Sequence, residues 1–316
     1  MSARICLVGA VVAWLVLAPG LSAQSGERHV FVSVTNTSGL PIKELGPAFF
    51  AIREDGKDRE VLRAGPVSVP THLALLVDTS GAVSSAETYR TALSAFVGNV
   101  APGTVVAVYE FGANPIPVVP FTTDVAAAQA GIGRLAGRQD TMPRLVDAIE
   151  MACRDLKAQA AVRPVVVAVS VGGSDNSART AGTVIKQLIE LPAALHIVAV
   201  GSSAGGPASP SLTSASGRDI VARQERLRQM EAEGEGHRER SQLLADGTKK
   251  TGGTLHRVAS ILAIGGALER VGAELASTYQ VTFSRPGGGK PKNLQVGVML
   301  EDVVVKATAA PVATGK

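Results

Sequence analysis

Residues 29–35 alternate apolar and polar positions and place Val30, Val32 and Val34 on one face, the two-residue period of a half-buried strand. Asn36-Thr37-Ser38-Gly39 ends that pattern. Residues 49–53 and 59–63 read as two further extended stretches, and Glu54-Asp55-Gly56-Lys57-Asp58 between them has the chemistry of a hairpin loop. The chain before Pro70 is therefore expected to form a small antiparallel β unit. From Thr71 the pattern changes. Apolar, β-rich runs recur at 73–77, 105–111, 165–171 and 197–200, each buried on both faces by its composition. Between them lie helical periods such as Tyr89, Leu93, Phe96 and Val100, and later Ile261, Ile264, Leu268, Val271 and Leu275. This alternation predicts an α/β fold, a doubly wound and mostly parallel sheet covered on both sides. After the last helical period come three more extended segments, 278–284, 293–299 and 303–308. Neither end of the chain has enough strands to bury a face alone, so the two ends are expected to pair beside the α/β unit.

These patterns divide the chain into a β segment at 24–69, an α/β domain at 70–277 with an insertion at 202–241, and a C-terminal β segment at 278–316. Residues 1–23 precede them. Arg4, an apolar stretch over 5–18 and Pro19-Gly20-Leu21-Ser22-Ala23 form the three-part pattern of a secretory signal peptide, with cleavage expected after Ala23 and a retained N-terminal anchor as the alternative. No later apolar run is long enough to span a membrane. An exported protein is expected, whether periplasmic, held in the cell envelope or secreted. Cys6 would leave with the signal, and Cys153 alone can form no internal disulfide. Cys153 falls in the helical stripe of Leu145, Ile149, Ala152 and Leu156, where a thiol is packed and unreactive.

Charge and composition exclude some partners. A net charge of +4 over the chain, with three tyrosines and one tryptophan, supplies neither a basic patch nor a stacking surface, so nucleic acid is not an expected ligand. The densest charge run, 217–241, sets six arginines against one aspartate and five glutamates and reads as a solvated helix or polar insertion. No Gly-x-Gly-x-x-Gly turn follows the first buried strand, and Gly287-Gly288-Gly289-Lys290 lacks both the earlier glycine and the following hydroxyl of a phosphate loop. The five histidines, at 29, 72, 196, 237 and 256, are scattered, and no serine sits in a Gly-x-Ser-x-Gly elbow. The chain does not read as an enzyme.

One motif carries chemistry. The run 71–77 ends in Asp78-Thr79-Ser80-Gly81-Ala82, a buried strand that delivers one carboxylate to its tip. A carboxylate there costs several kcal/mol in order of magnitude unless it is paired or hydrogen-bonded. In such sheets the binding crevice lies beyond the carboxyl ends of the strands, where Asp78 falls. The motif resembles the first strand and Asp-x-Ser-x-Ser loop of von Willebrand factor type A domains, in particular an exported bacterial subgroup. Residues 195–201, 251–254 and 268–279 resemble that family's penultimate strand, the turn before its last strand and its final helix.

The resemblance implies protein recognition at the strand tips, through a metal-ion-dependent adhesion site holding Mg2+ or another divalent cation on oxygen ligands from three loops, completed by an acid from the partner. Of those ligands the chain keeps Asp78, Ser80 and Thr141, the last in Asp140-Thr141-Met142-Pro143 ahead of a helical period. It has Ala82 where the family has its second serine and Val171 where the third loop has its acid. Magnesium needs near-octahedral oxygen geometry, and Asp78 alone offers little to offset its dehydration. Asp140 and Asp175 are the residues that could compensate. Each retained residue also has a metal-free role. Thr141 can cap the helix whose first turn holds Pro143, Ser84 and Glu87 form a capping box, Asp175, Asn176 and Ser177 can cap the following helix, and Ser80, Thr141 and backbone amides at the start of the next helix can solvate Asp78.

The function expected is therefore protein binding or assembly at the strand tips, with an unidentified protein partner and a degenerate metal site. The alternatives are a structural scaffold in the envelope whose binding face is spent, and an envelope hydrolase. The insertion at 202–241 follows a strand on the ligand side and is expected either to cover or contribute to the partner face or to be a solvated loop.

Overall fold

Two hydrophobic patterns become two kinds of sheet in the computed structural model, which describes residues 25–80, 86–138, 141–201, 220–286 and 293–309. The expected signal peptide at 1–23, Ala82, Ser84, Asp140, residues 202–219 and residues 287–290 lie outside the described residues. The N-terminal strands are β1 (Ser25–Asn36), β2 (Phe50–Glu54), β3 (Lys57–Arg59) and β4 (Val61–Pro66). The α/β part runs β5 (Thr71–Val77), α1 (Ala86–Gly98), β6 (Val105–Glu110), β7 (Ile116–Thr122), α2 (Val125–Gly133), α3 (Leu145–Ala158), β8 (Arg163–Val171), α4 (Ala181–Glu190) and β9 (Ala194–Val200). Helix α5 (Ile220–Gln242) continues through a π-helical segment, Leu243–Gly247, into the single turn α6 (Thr248–Lys250). Then follow β10 (Leu255–Val258), α7 (Ile264–Ala276), β11 (Tyr279–Pro286), β12 (Leu294–Val298) and β13 (Val303–Ala309).

The central sheet has the order β10-β9-β8-β5-β6-β7, parallel throughout except for the antiparallel edge strand β7. Side chains alternate across it. Leu73, Leu75 and Val77 face Leu93 and Phe96 of α1 and Leu268 and Val271 of α7. Ala74 and Leu76 face Ile149 and Leu156 of α3 and Val184 and Leu188 of α4. A strand buried on both faces has no polar alternation to show, which is why β5 and β8 read as continuous apolar runs. The chain leaves β5 toward β6 and returns on its other side as β8, so the winding reverses between β5 and β8. Ligands bind at the carboxyl ends of the strands at such a reversal.

The two ends of the chain do pair. β1 lies between β11 and β13, and β4 joins on the outer side of β11. β12 pairs with β2, which pairs with β3. Val30, Val32, Phe50, Ile52, Val281 and Phe283 fill the core between these two small sheets. The hairpin is tighter than its sequence predicts. Asp55 and Gly56 alone make the turn, both at positive φ (50° and 80°), the geometry that matches the right-handed twist of the flanking strands. β3 ends at Arg59, and the chain then crosses to the other sheet as β4.

A polar seam joins this sandwich to the base of the α/β part. Arg163 donates to Thr71 Oγ1 (3.0 Å) and to the Leu275 carbonyl (2.9 Å), and its guanidinium lies 5.6 Å from the Phe31 ring centre. Lys306 pairs with Glu274 at 3.1 Å, and Thr308 Oγ1 donates to the Thr251 carbonyl at 2.7 Å. His196 lies in this seam, its Nδ1 2.7 Å from Thr254 Oγ1, beside a cavity of about 30 Å3. Burial holds the imidazole down at about 4, with Glu274 opposing the shift and Lys306, His256 and Arg163 adding to it. The unfolded chain therefore takes up this proton first as the pH falls. Stability present above pH 6.5 is expected to be lost progressively toward pH 4, by about 3 kcal/mol at 1.4 kcal/mol per pKa unit. Urea midpoints across that range should show a shallower slope in His196→Asn. The slope should not vanish, because burial also lowers His29, His72 and His256.

Candidate functional site

Asp78 leaves the end of β5 fully buried, and its carboxylate is held by backbone. Oδ1 accepts from the Ser80 amide at 2.9 Å and Oδ2 from the Val171 amide at 2.8 Å. Its own amide donates to the Val169 carbonyl at 3.0 Å, so the acid bridges the tips of the two strands between which the winding reverses. Burial raises its pKa, while Ser80, the Val171 amide and the charge of Arg240 favour the ionised form. The Ser80 hydroxyl is close enough to contribute to that balance, although Ser80 Oγ makes no hydrogen bond of ordinary geometry.

The loop after β5 is clamped by its neighbours. The Thr79 carbonyl accepts from the Arg138 amide at 2.6 Å, and Thr79 Oγ1 accepts from the Gly112 amide at 3.2 Å. Gly112 has to be glycine for packing reasons, since a Cβ there would overlap the backbone of Thr79 and Ser80. On the other side, Gly172 and Gly173 take φ of 42° and 85°, which turns the chain away directly after Val171. The Gly172 amide reaches the Val200 carbonyl at 2.7 Å.

Thr141 does not have its expected capping role. α3 begins at Leu145, its N-cap is Arg144 without a side-chain cap, and Thr141 Oγ1 donates to the Arg138 carbonyl at 2.8 Å. The cap comes from a different loop. Asp175 Oδ2 accepts from the Leu145 amide at 2.7 Å, and Oδ1 accepts from the Ser177 amide at 2.9 Å. The Val146 amide also favours the charged form of Asp175, while burial raises its pKa. An acid at a helix N-terminus satisfies amides that have no partner within the helix and matches the positive end of its dipole. The helix that follows Asp175, α4, is capped not by Asp175, Asn176 or Ser177 but by Thr180, whose hydroxyl accepts from the Thr183 amide.

The donor set fits a hard divalent cation poorly. Both oxygens of Asp78 and both of Asp175 are engaged by amides, Thr141 turns its hydroxyl to a carbonyl, and an apolar side chain stands at 171. Among the described residues no three His, Cys, Asp or Glu side chains gather where one ion could hold them. Little remains to replace the hydration shell that Mg2+ gives up.

The principal residues that sequence reasoning missed lie on α5. Residues 226–233 of this helix are exposed, and its last turns pack on the tips of the sheet. Ser174 Oγ donates to the Glu233 carbonyl at 2.8 Å, the Ala181 amide donates to the Glu239 carboxylate, and Arg240 Nη2 donates to Ser170 Oγ at 3.2 Å. Gly236 lies directly against the backbone of Asp175. The charges of Asp78 and Asp175 both favour the protonated Arg240, against its burial and the nearby Arg257. One signal was available. Glycine costs about 1 kcal/mol in a helix interior, so Gly234 and Gly236 inside one helical run point to a close approach.

Residues 73–174 match the family model for the von Willebrand factor type A domain. A comparison with curated proteins finds no match. Among solved structures, the chain is similar to a conserved hypothetical protein, BatB, from Bacteroides thetaiotaomicron, at 16% identity over 65% of this chain and 98% of that one, with a TM-score of 0.44. It is also similar to an aerotolerance-related membrane protein from Bacteroides fragilis, at 17% identity over 65% and 98%, with a TM-score of 0.46. A von Willebrand factor type A protein from Catenulispora acidiphila covers more of the chain, 90% against 74% of its own length, at 10% identity and a TM-score of 0.48.

Proposed function

From a chain that carries a von Willebrand factor type A domain over residues 73–174, we propose an exported protein that binds or assembles with another protein at the carboxyl tips of β5 and β8, without a full metal site. The observation that carries this reading is Asp78, buried at the tip of a strand where the winding of the sheet reverses. Domains of this family are for the most part interaction modules, and protein–protein interaction or assembly is the role the match supports. Export rests on residues 1–23. Among the described residues no helix is long and apolar enough to cross a membrane. The proposed division is a β segment at 24–69, the type A domain at 70–277 and a β segment at 278–316, with the two β segments forming one supporting sandwich.

One observation favours the second reading, a structural scaffold whose face is spent: α5 packs on the same tips. Capture of partners from an envelope extract separates the two. Met142 is exposed on the loop before α3, and Leu40 is exposed on the sandwich. Under the recognition reading Met142→Glu should cut capture at least tenfold and Leu40→Glu should leave it unchanged, with chelator present or absent. Equal capture by both variants would favour the scaffold, and loss on chelation alone would restore the metal.

A further inference from the structure

The two sides of the strand tips differ in what lies on them. Around β8 the chain covers its own tips, since the Glu233 carbonyl accepts from Ser174 Oγ and Arg240 donates to Ser170 Oγ. Around β6 a cleft opens instead. Glu110, the last residue of β6, lies in register with Val77, the residue before Asp78, and beside it a cleft of about 420 Å3 runs between β7 and the loop that leaves α2. A water molecule has about 30 Å3 of the liquid, so this cleft has room for side chains.

Its walls are apolar. On one side stand Ile116, Pro117 and Val118 of the edge strand, with Ile116 42% exposed. On the other stand Leu135 and Ala136, brought close because Gly131 of α2 lies against Val119, where a Cβ would overlap the valine side chain. The rim is cationic. Arg138 pairs with buried Glu110, the one acid among the described residues that line the cleft, and its amide donates to the Thr79 carbonyl. Arg134, the C-cap residue of α2, is exposed on the same cleft, and among the described residues its side chain has no hydrogen bond or ion pair. Its charge suits the negative end of the α2 dipole, a role that leaves its guanidinium donors open. Two guanidinium groups against one carboxylate give the cleft an excess positive charge, and a guanidinium binds a planar carboxylate through paired N–H donors.

We propose that this cleft is the partner-contact face, and that it takes an extended segment of another protein in which an aliphatic side chain stands next to an aspartate or glutamate. The aliphatic group lies against Ile116 and Ala136, and the carboxylate pairs with Arg134, while Arg138 stays held by Glu110. The proposal rests on the recognition reading and adds the class of partner and the side from which it arrives. It needs no metal.

Selection of displayed random peptides on the immobilised full chain, with chelator present, tests it without a known partner. The enriched peptides should carry an acid beside Leu, Ile or Val, and a synthetic peptide of the enriched sequence should bind saturably by fluorescence polarisation. Replacing its acid by the amide should weaken binding at least tenfold in the wild type and have little further effect in Arg134→Glu. Arg134→Gln, which only removes the charge, should weaken binding in the same direction, and Ile116→Ser should weaken it severalfold. Arg226→Glu, at an exposed arginine of α5, should leave it unchanged. Enrichment of basic or purely apolar peptides, no enrichment, or acidic peptides whose binding survives Arg134→Glu and Arg134→Gln would overturn the proposal. The two readings fail separately: loss of extract capture in Met142→Glu without any such peptide preference would keep recognition at the tips and remove the cleft from it.

Discussion

Glu54→Ala is expected to destabilise the protein by about 3–5 kcal/mol, the range for removing one partner of a buried ion pair. Glu54 is fully buried at the end of β2, and its Oε2 receives both Arg59 at 3.0 Å and Arg285 at 2.9 Å. Arg59 belongs to the same small sheet, and Arg285 is on β11 of the facing one, so a single oxygen ties the sheets together. Without it two guanidinium groups, both largely out of water, lose their shared counter-charge. The neighbouring pair Arg53–Asp58 supplies the contrast. It spans the same hairpin at 2.9 Å, but its side chains are 55% and 80% exposed, and pairs so open to solvent add little to stability. Urea unfolding of Glu54→Ala beside Asp58→Ala should separate the two by severalfold in free energy. Equal effects would mean that the sandwich is held by its apolar core alone.

Gly236→Ala should act in the opposite direction to helix propensity. Alanine favours a helix interior by about 1 kcal/mol over glycine, so an exposed site would gain stability. Here the added methyl would overlap the Asp175 carbonyl oxygen and Ser174 Oγ. Serine can rotate away, but the carbonyl belongs to the loop that caps α3 and cannot. Overpacking of this kind costs about 1–3 kcal/mol, and the helix is the element able to move. The expected result is a net loss of stability, with faster proteolysis within α5 and faster amide exchange at Leu145, whose cap is Asp175. Gly234→Ala, two residues earlier, meets only the end of the Arg238 side chain and should be neutral or slightly stabilising. A gain in both variants would mean that α5 does not press on the strand tips.

Much of the architecture was legible because burial on both faces leaves an unmistakable run of apolar residues, as in β5 and β8. The edge strand β7 was not read. It contains Pro117 and Pro120, which argue against a strand in the middle of a sheet but are tolerated at an edge where one row of amides needs no partner. Position in sequence offers Thr141 as a metal ligand or a cap, whereas the cap of α3 arrives from Asp175 on another loop; periodicity and local motifs see only neighbours along the chain. The same limit hid Arg240. A run of six arginines and six acids reads as solvated, and nothing local marks Arg240, which reaches Ser170 at the end of β8. Asp78 was legible as the strand-tip acid, but the amides that hold it are those of Ser80 and Val171 and not those at the start of the next helix, and Thr141 bonds elsewhere. The identity of those amides, Ser80 and Val171, depends on strand pairing.

The central claim is that the strand-tip acid is held by backbone amides of its own protein and not by a metal ion. Isothermal titration of magnesium into the wild-type chain, with Asp78→Ala as its control, tests it most directly. The account predicts no saturable heat in either protein and the same weak, featureless dilution curve for both. Saturable binding in the wild type that disappears in Asp78→Ala would contradict it and return the site to the metal.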